Sequence, residues 1–370
     1  MLKIVFHLNC LEQGGAERVV TNLSAQFAEE GYEVIVATEW QADNEFTLHE
    51  KVRRIHVGLS EADESKSRMA KYFIRIRNLR AMLKQENPDL LIAFAHKANY
   101  RSLMATIGTR FPVLISVRTD PVGHYDSLSD KILIPWLFPR AAGCVFQTEG
   151  QREFFPAYLQ KKSRIILNPV NPKYIGRVPV SQRNKTISHV SRLVDFKNQP
   201  MLLRAFAKVH KQYPEYDLKL YGGDSYDGTK EILEQIIKEL KLGDCVSLMG
   251  ACDHIPEQIE HTAFFAFTSD WEGMPNALME AMALGLPVIA TDCPCGGPRT
   301  LIRHGENGHL IPIKEEKALV EAMCTLIEHP DYANRIGDQA RRIGDITNAH
   351  AIYLQWKDYI HEICKKANKN

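Results

Sequence analysis

Short runs of apolar residues alternate with longer amphipathic stretches along almost the whole chain. Residues 3–8 have the length of one buried strand, 16–30 read as an amphipathic helix ended by Gly31, and 33–38 form a second apolar run. The chain therefore opens with a β-α-β unit, in which the two strands lie parallel. Runs at 90–95, 113–117, 144–148 and 164–167 continue this series. A second series starts at 186–191 and continues at 218–221, 246–249, a strand ending at Ser269, and 288–291. Apolar runs of this length, separated by helical stretches, predict parallel sheets covered on both faces, the α/β class.

Between the two series, residues 168–184 hold three prolines, one glycine and little periodicity, and read as a linker. At 370 residues the chain is also too long for one ordinary core. The expected division is one Rossmann-like domain over 1–172, a second over 173–348, and a closing helix over 349–370. In that helix Ile352, Trp356, Tyr359, Ile360 and Ile363 share one face, and the polar end at 365–370 is expected to fray.

Composition narrows the class. The chain is 45% hydrophobic and 25% charged with a net charge of +1, so no overall field points to nucleic acid. An apolar strand at the very start argues against a secretory leader, and no apolar run nears the ~18 residues that span a bilayer. The eight cysteines show neither a C-x-x-C pair nor a Cys/His ligand spacing, which predicts reduced thiols, no bound metal and a cytoplasmic location.

One segment departs from this balance. Residues 65–85 carry Lys66, Arg68, Lys71, Arg75, Arg77, Arg80 and Lys84 and no acid, around Met69, Tyr72, Phe73, Ile76, Leu79 and Leu83 at helical spacing. Two readings fit. It is a core helix with solvated charges, or a helix lying on an anionic membrane surface through Lys71, Arg75, Arg77, Arg80 and Lys84.

Ligands of open α/β sheets bind beyond the carboxyl ends of the strands, so polar residues there are the candidates. In the first half these are Gly14 and Gly15 in N-C-L-E-Q-G-G-A-E, His96 in F-A-H-K-A-N, and Arg118 and Asp120 in S-V-R-T-D-P. In the second half they are Arg192 and Lys197 in S-R-L-V-D-F-K-N, Gly222 and Gly223, and the stretch 268–312. That stretch begins T-S-D-W-E-G-M-P-N-A-L-M-E, with a helix expected from about Pro275. The N–H groups of Met274, Asn276 and Ala277 would make an anion site at its positive end. Pro275 shapes that end, and Glu272 and Glu280 bracket it. Amide donors for a phosphate beside carboxylates for hydroxyls suit a ligand that is both phosphate and sugar.

The two glutamates separated by seven residues, the G-G-P-R loop at 296–299, the S-R-L-x-x-x-K-N pattern and the G-G-A-E loop together resemble the retaining glycosyltransferases of family 4. The resemblance covers nearly the whole chain. It implies the B-type (GT-B) fold, two Rossmann-like domains facing across a cleft, with the closing helix returning to the first domain. The donor would sit on the second domain and the acceptor on the first.

Arg192 and Lys197 would then hold the leaving diphosphate, Glu272 hydroxyls of the donor sugar and Glu280 the ribose, with no metal required. Within the family a UDP-sugar is the commonest donor. The basic helix, with the apolar stretch 131–139, favours a lipid-linked sugar acceptor at the cytosolic membrane face. Many relatives carry His where this chain has Arg118, which leaves the contact to the reacting sugar open. Two other readings keep the same fold or ligand: a nucleotide-sugar epimerase or hydrolase, and an inactive partner of another transferase that binds a sugar nucleotide or lipid. A nicotinamide dehydrogenase lacks its G-x-G-x-x-G fingerprint here.

Overall fold

A computed structural model of the chain describes residues 2–12, 14–177, 180 and 182–367. Part of the expected linker (178, 179 and 181) and of the expected frayed end (368–370) lies outside the described residues. The chain forms two compact units. The first comprises Met1–Pro169 with Ala349–Asn370, and the second Val170–Asn348.

In the first unit seven strands form one parallel sheet: β1 (Lys3–Leu8), β2 (Glu33–Thr38), β3 (Arg53–His56), β4 (Leu90–Phe94), β5 (Val113–Ser116), β6 (Gly143–Phe146) and β7 (Ser163–Ile165). Their order is β3-β2-β1-β4-β5-β6-β7, so the direction of winding reverses between β1 and β4. Helices α1 (Gly15–Glu29), α2 (Arg68–Glu86), α3 (His96–Ala105) and α4 (Leu128–Leu137) belong to this unit. Strand β3 escapes the apolar pattern because R-R-I-H at the sheet edge is mostly exposed, and charge at an edge blocks further pairing.

The second unit carries β8 (Thr186–Val190), β9 (Asp217–Tyr221), β10 (Val246–Gly250), β11 (Phe264–Phe267), β12 (Val288–Thr291) and β13 (His309–Ile311), in the order β10-β9-β8-β11-β12-β13. All pairs are parallel, and the reversal falls between β8 and β11. Helices α5 (Gln199–His210) and α6 (Asn276–Ala283) lead away from the carboxyl ends of β8 and β11.

The closing helix α7 (Ala349–Ala367) is part of the first unit. Its face of Ile352, Trp356, Tyr359, Ile360 and Ile363 lies in one core cluster with Phe6, Phe94 and Val145. Trp356 stacks on Phe94 with ring centres 5.5 Å apart. The Tyr359 hydroxyl donates to the Lys162 carbonyl at 2.6 Å and accepts from the Cys144 N–H at 3.2 Å.

Helix α2 is rotated from the expected stripe. It buries Ile74, Leu79, Met82 and Leu83, and leaves Met69 and Phe73 exposed. Its cations are also largely engaged. Arg75 pairs with the buried Glu39 at 3.3 Å, Lys71 with Glu64 at 2.8 Å, and Arg80 donates to the carbonyls of Ala105 and Ile107 at 3.2 and 2.7 Å. Of the five proposed membrane contacts, Arg77 and Lys84 stay exposed without an acidic partner among the described residues.

Truncating a fully buried tryptophan costs about 3–5 kcal/mol. Trp356→Ala is expected to speed hydrogen exchange of the β1 and β4 amides by that amount. Unchanged protection there would show that α7 does not hold the first sheet.

Candidate active site

At the reversal point of the second sheet, the loops after β8 and β11 meet. Lys197, in a short 3₁₀ turn after β8, makes an ion pair with Glu272 in the loop after β11. Both side chains are only about 15% exposed. Glu272 also accepts from the Ser269 hydroxyl at 3.2 Å. The backbone around the pair is stitched together. The Thr268 hydroxyl donates to the Lys197 carbonyl at 2.9 Å, the Asp270 N–H to the Phe196 carbonyl at 2.8 Å, and the Asn198 amide to the Asp270 carboxylate at 2.9 Å. Phe196 stacks on Trp271 at 3.9 Å, and the Lys197 ammonium lies over the Phe196 ring at 5.3 Å. The Arg192 guanidinium is exposed and has no hydrogen-bond or ion-pair partner among the described residues.

Helix α6 starts one residue later than expected. Pro275 is its N-cap and not its first helical residue, because a ψ of 99° keeps it outside the helix. No side chain caps this end, since proline offers none. Met274 is buried, Asn276 and Ala277 form the first turn half-exposed, and Glu280 is buried on the next turn.

Two glycines allow the surrounding loops to close. A Cβ on Gly297 would lie 2.1 Å from the Gly273 carbonyl oxygen and 2.9 Å from the Pro275 ring, so the G-G-P-R loop can rest on G-M-P only as glycine. A Cβ on Gly222, whose φ is +148°, would lie 1.8 Å from the Ser191 carbonyl oxygen, just before Arg192. Beside it, the Gly223 carbonyl accepts from the Leu193 N–H at 2.9 Å. The Cys295 thiol donates to the Glu272 carbonyl at 3.1 Å, and the buried Cys293 thiol is pushed up by burial and then by the charge on Glu272.

Sequence reasoning missed His189 and Gln199, which hold the Arg192 loop. His189 is fully buried; its Nδ1–H donates to the Ala266 carbonyl at 2.8 Å, which leaves Nε2 to accept from the Ser191 hydroxyl at 2.7 Å. The Gln199 amide donates to the Ser191 hydroxyl at 3.0 Å and to the Arg192 carbonyl at 2.9 Å. A histidine within the apolar run T-I-S-H-V was the available signal.

In the first unit, Gly14 precedes α1 as an N-cap without a side-chain bond, and Gly15 is the helix's first residue. His96 is the first residue of α3. The glycine loop and His96 thus follow β1 and β4, the two strands that flank that sheet's reversal point. Arg118 is turned toward the core. It lies over the rings of Phe94 and Trp356, at 4.9 and 5.3 Å, and donates to Asn168 at 3.0 Å. Burial pushes its pKa down to about 9. Asp120 is buried and caps a short helical turn through the Val122 N–H at 3.2 Å. No cluster of three His, Cys, Asp or Glu side chains able to hold a metal occurs among the described residues. Nor is any helix among them long and apolar enough to cross a membrane.

Two doubly wound parallel sheets, each in its own unit, are the architecture of the GT-B fold. The solved structure of Anabaena HepE in complex with UDP superposes with a TM-score of 0.80 at 20% identity, over 98% of this chain and 100% of that one. Residues 171–343 match the family model described as Glycosyl transferases group 1, and residues 13–174 the model described as Glycosyltransferase Family 4. The chain belongs to the family 4 glycosyltransferases. It is similar to an uncharacterized glycosyltransferase of Haemophilus influenzae, 25% identical over 95% of this chain and 98% of the relative. It is also similar to the N-acetylgalactosamine-N,N'-diacetylbacillosaminyl-diphospho-undecaprenol 4-alpha-N-acetylgalactosaminyltransferase of Campylobacter jejuni, 30% identical over 65% of this chain and 67% of the relative. The GT-B fold and the glycosyltransferase activity expected from the sequence are thereby both found.

Burial, and then the charge on Lys197, push the pKa of His189 from 6.5 down to about 4. The unfolded chain therefore binds this proton first as pH falls through that window, and stability drops by up to ~1.4 kcal/mol per pH unit. Denaturant unfolding of the second unit between pH 7 and 4 should show this slope, flattened in His189→Gln. Equal slopes for the two proteins would remove His189 as its source.

Proposed function

We propose that this enzyme is a retaining, metal-independent glycosyltransferase that moves a hexose or N-acetylhexosamine from a UDP-sugar to a lipid-linked sugar acceptor. Its place would be the assembly of a surface polysaccharide or glycan. The observation that carries the reading is the Lys197–Glu272 pair at the reversal point of the second sheet, with the unpaired Arg192 and the uncapped end of α6 in the same unit.

Negative charge builds on the diphosphate as its bond to the sugar breaks. Arg192, Lys197 and the N-terminal amides of α6 stabilise it as preorganised positive groups, without a metal. Glu272, released from Lys197 as the diphosphate takes its place, accepts hydrogen bonds from hydroxyls of the donor sugar. Glu280 accepts from the ribose. Gly222 and Gly223 line the donor through backbone, and Gly14 and Gly15 let backbone approach a phosphate or sugar on the first unit. Retention follows from the family resemblance and accords with the α-linkage in the name of the Campylobacter relative.

The diphospho-undecaprenol in that relative's name supports a lipid-linked acceptor. So does the outer surface of the first unit. Leu128, Ile132 and Trp136, at successive turns of α4, are 82%, 72% and 52% exposed, and Met69 and Phe73 stand out from α2. Exposed cations Arg77, Lys84, Lys131 and Arg140 accompany them. Such a surface suits an anionic membrane at the cytosolic face, with α4 supplying apolar contact and the cations a weak, salt-sensitive attraction.

Thermal stability should be titrated with UDP, GDP and ADP, and then with their sugars, in the absence of metal. A site at 100 times its dissociation constant adds ~2.7 kcal/mol, and UDP is expected to give the shift. No shift with any nucleotide would favour an inactive, lipid-binding partner, or a site that forms only with acceptor or membrane present. Glu280→Ala should lose ~1.5–3 kcal/mol of donor affinity. Lys197→Ala should lower turnover more than it raises the Michaelis constant, because its charge acts most in the transition state. The protein should sediment with phosphatidylglycerol vesicles at low salt and less so after Ile132→Ser with Trp136→Ser. Sedimentation indifferent to that double change would remove α4 from the contact.

A further inference from the structure

One point of backbone strain in the second unit falls on a residue that touches Glu272. Cys295, in the loop after β12, has φ +62° and ψ −5°, in the left-handed region. Gly296 beside it has φ +73°. Glycine takes such angles freely and asparagine readily, as Asn87 and Asn198 do in this chain, but a cysteine is strained there. The loop around it holds the strain in place. The Asp292 carboxylate at its start accepts from the Arg299 guanidinium at its end, at 2.8 and 2.5 Å. The Gly296 N–H donates to the Cys293 carbonyl at 3.2 Å, and the Thr300 hydroxyl to the Gly296 carbonyl at 2.8 Å.

What the strain secures is a side chain at a given point. The half-buried Cys295 thiol donates to the Glu272 carbonyl at 3.1 Å. At the other end of the same residue, the fully buried Ser269 hydroxyl donates to the Glu272 carboxylate at 3.2 Å. It does so on the oxygen that also pairs with Lys197. Ser269 is itself pinned, because its carbonyl accepts from the Thr291 hydroxyl at 2.6 Å. Glu272 is thus held at its peptide from the loop after β12 and at its carboxylate from its own loop. Packing between the two loops does not need a side chain at 295, since Gly297 already brings them together against Gly273 and Pro275. A glycine at 295 would relax the backbone and give up one hold.

We propose that Cys295 is a positioning residue for Glu272, its thiol fixing the peptide from which the carboxylate is aimed at hydroxyls of the donor sugar. The inference rests on the transferase reading above and concerns the second unit alone. Fixing the Glu272 peptide fixes the direction of its Cα–Cβ bond, and Ser269 then selects where the carboxylate ends. When a diphosphate draws Lys197 away, these two bonds still orient Glu272. The thiol keeps its proton throughout and acts only as a donor. Stability is given up for aim, a pattern that recurs where a strained residue serves a site. A cysteine kept only for packing would make every replacement at 295 less stable. A positioning cysteine makes glycine more stable and the donor sugar less well held.

The experiment compares the full chain as wild type, Cys295→Gly, Cys295→Ala and Cys295→Ser. The urea midpoint of Cys295→Gly should rise above wild type, because glycine removes the left-handed strain. A thiol is a weak donor, so its loss is expected to act by about fivefold and not by orders of magnitude. Acetylation of Lys197 by an N-hydroxysuccinimide ester, read by peptide mass spectrometry, should speed up by that factor in the glycine and alanine variants, as Glu272 leaves its partner more often. Binding of UDP-glucose and UDP-N-acetylglucosamine, followed by thermal shift, should weaken by the same factor, with UDP itself bound no less tightly than by wild type. Cys295→Ser keeps a donor in place and should recover most of both readouts. A destabilised Cys295→Gly, or wild-type Lys197 reactivity in both the glycine and alanine variants, overturns the proposal. If neither sugar nucleotide binds the wild type, Lys197 reactivity decides alone. A wild type that gives no shift with UDP would instead remove the transferase reading, while the hold on Glu272 is still judged by Lys197.

Discussion

The ion pair between Lys197 and Glu272 is the constraint around which the second unit is arranged. Two charges that are mostly withdrawn from water lose hydration, and their attraction offsets the loss only if the geometry is held closely. Each neighbouring feature serves that end. The Lys197 ammonium lies over the Phe196 ring at 5.3 Å, and the Thr268, Asn198 and Asp270 bonds fix the two backbones. Gly297 lets the following loop close over G-M-P. An anion that took the place of Glu272 beside Lys197 would meet a cation already stripped of most of its water. The free protein thus carries in advance part of the desolvation that a ligand would otherwise have to supply.

Both sheets place their chemistry at the same topological position. At a reversal point the helices on either side run to opposite faces, leaving a crevice at the strand ends. In the second unit Lys197 and Glu272 occupy the β8 and β11 sides, and in the first Gly14–Gly15 and His96 occupy the β1 and β4 sides. The two units differ in charge. One presents cations and the amides of a helix end, and the other presents a pair of glycines and an imidazole.

Most of the framework was legible in the sequence because it lies in local pattern. Apolar runs marked the central strands, and the spacing of Ile352, Trp356 and Tyr359 marked α7. The misses have physical causes. Edge strand β3 carries R-R-I-H, and β13 has only three residues, so neither makes an apolar run. The phase of α2 was misjudged because hydropathy cannot tell which of two half-apolar faces the sheet will cover. Arg75 looked free because its partner, Glu39, lies on a distant loop. Cys295, 23 positions from Glu272, and Gln199, buried behind Ser191, gain meaning only through tertiary contacts that no local spacing encodes.

The return of α7 to the first unit has a consequence for synthesis. The core around Phe6, Phe94 and Val145 is closed by Ile352, Tyr353 and Trp356, which emerge from the ribosome only after every residue of the second unit. Domains fold as their residues become available, usually from the N-terminus onward. Here the first unit cannot be completed in that order. Until α7 is made, the first sheet keeps one apolar flank uncovered, and an uncovered apolar flank is a site for aggregation.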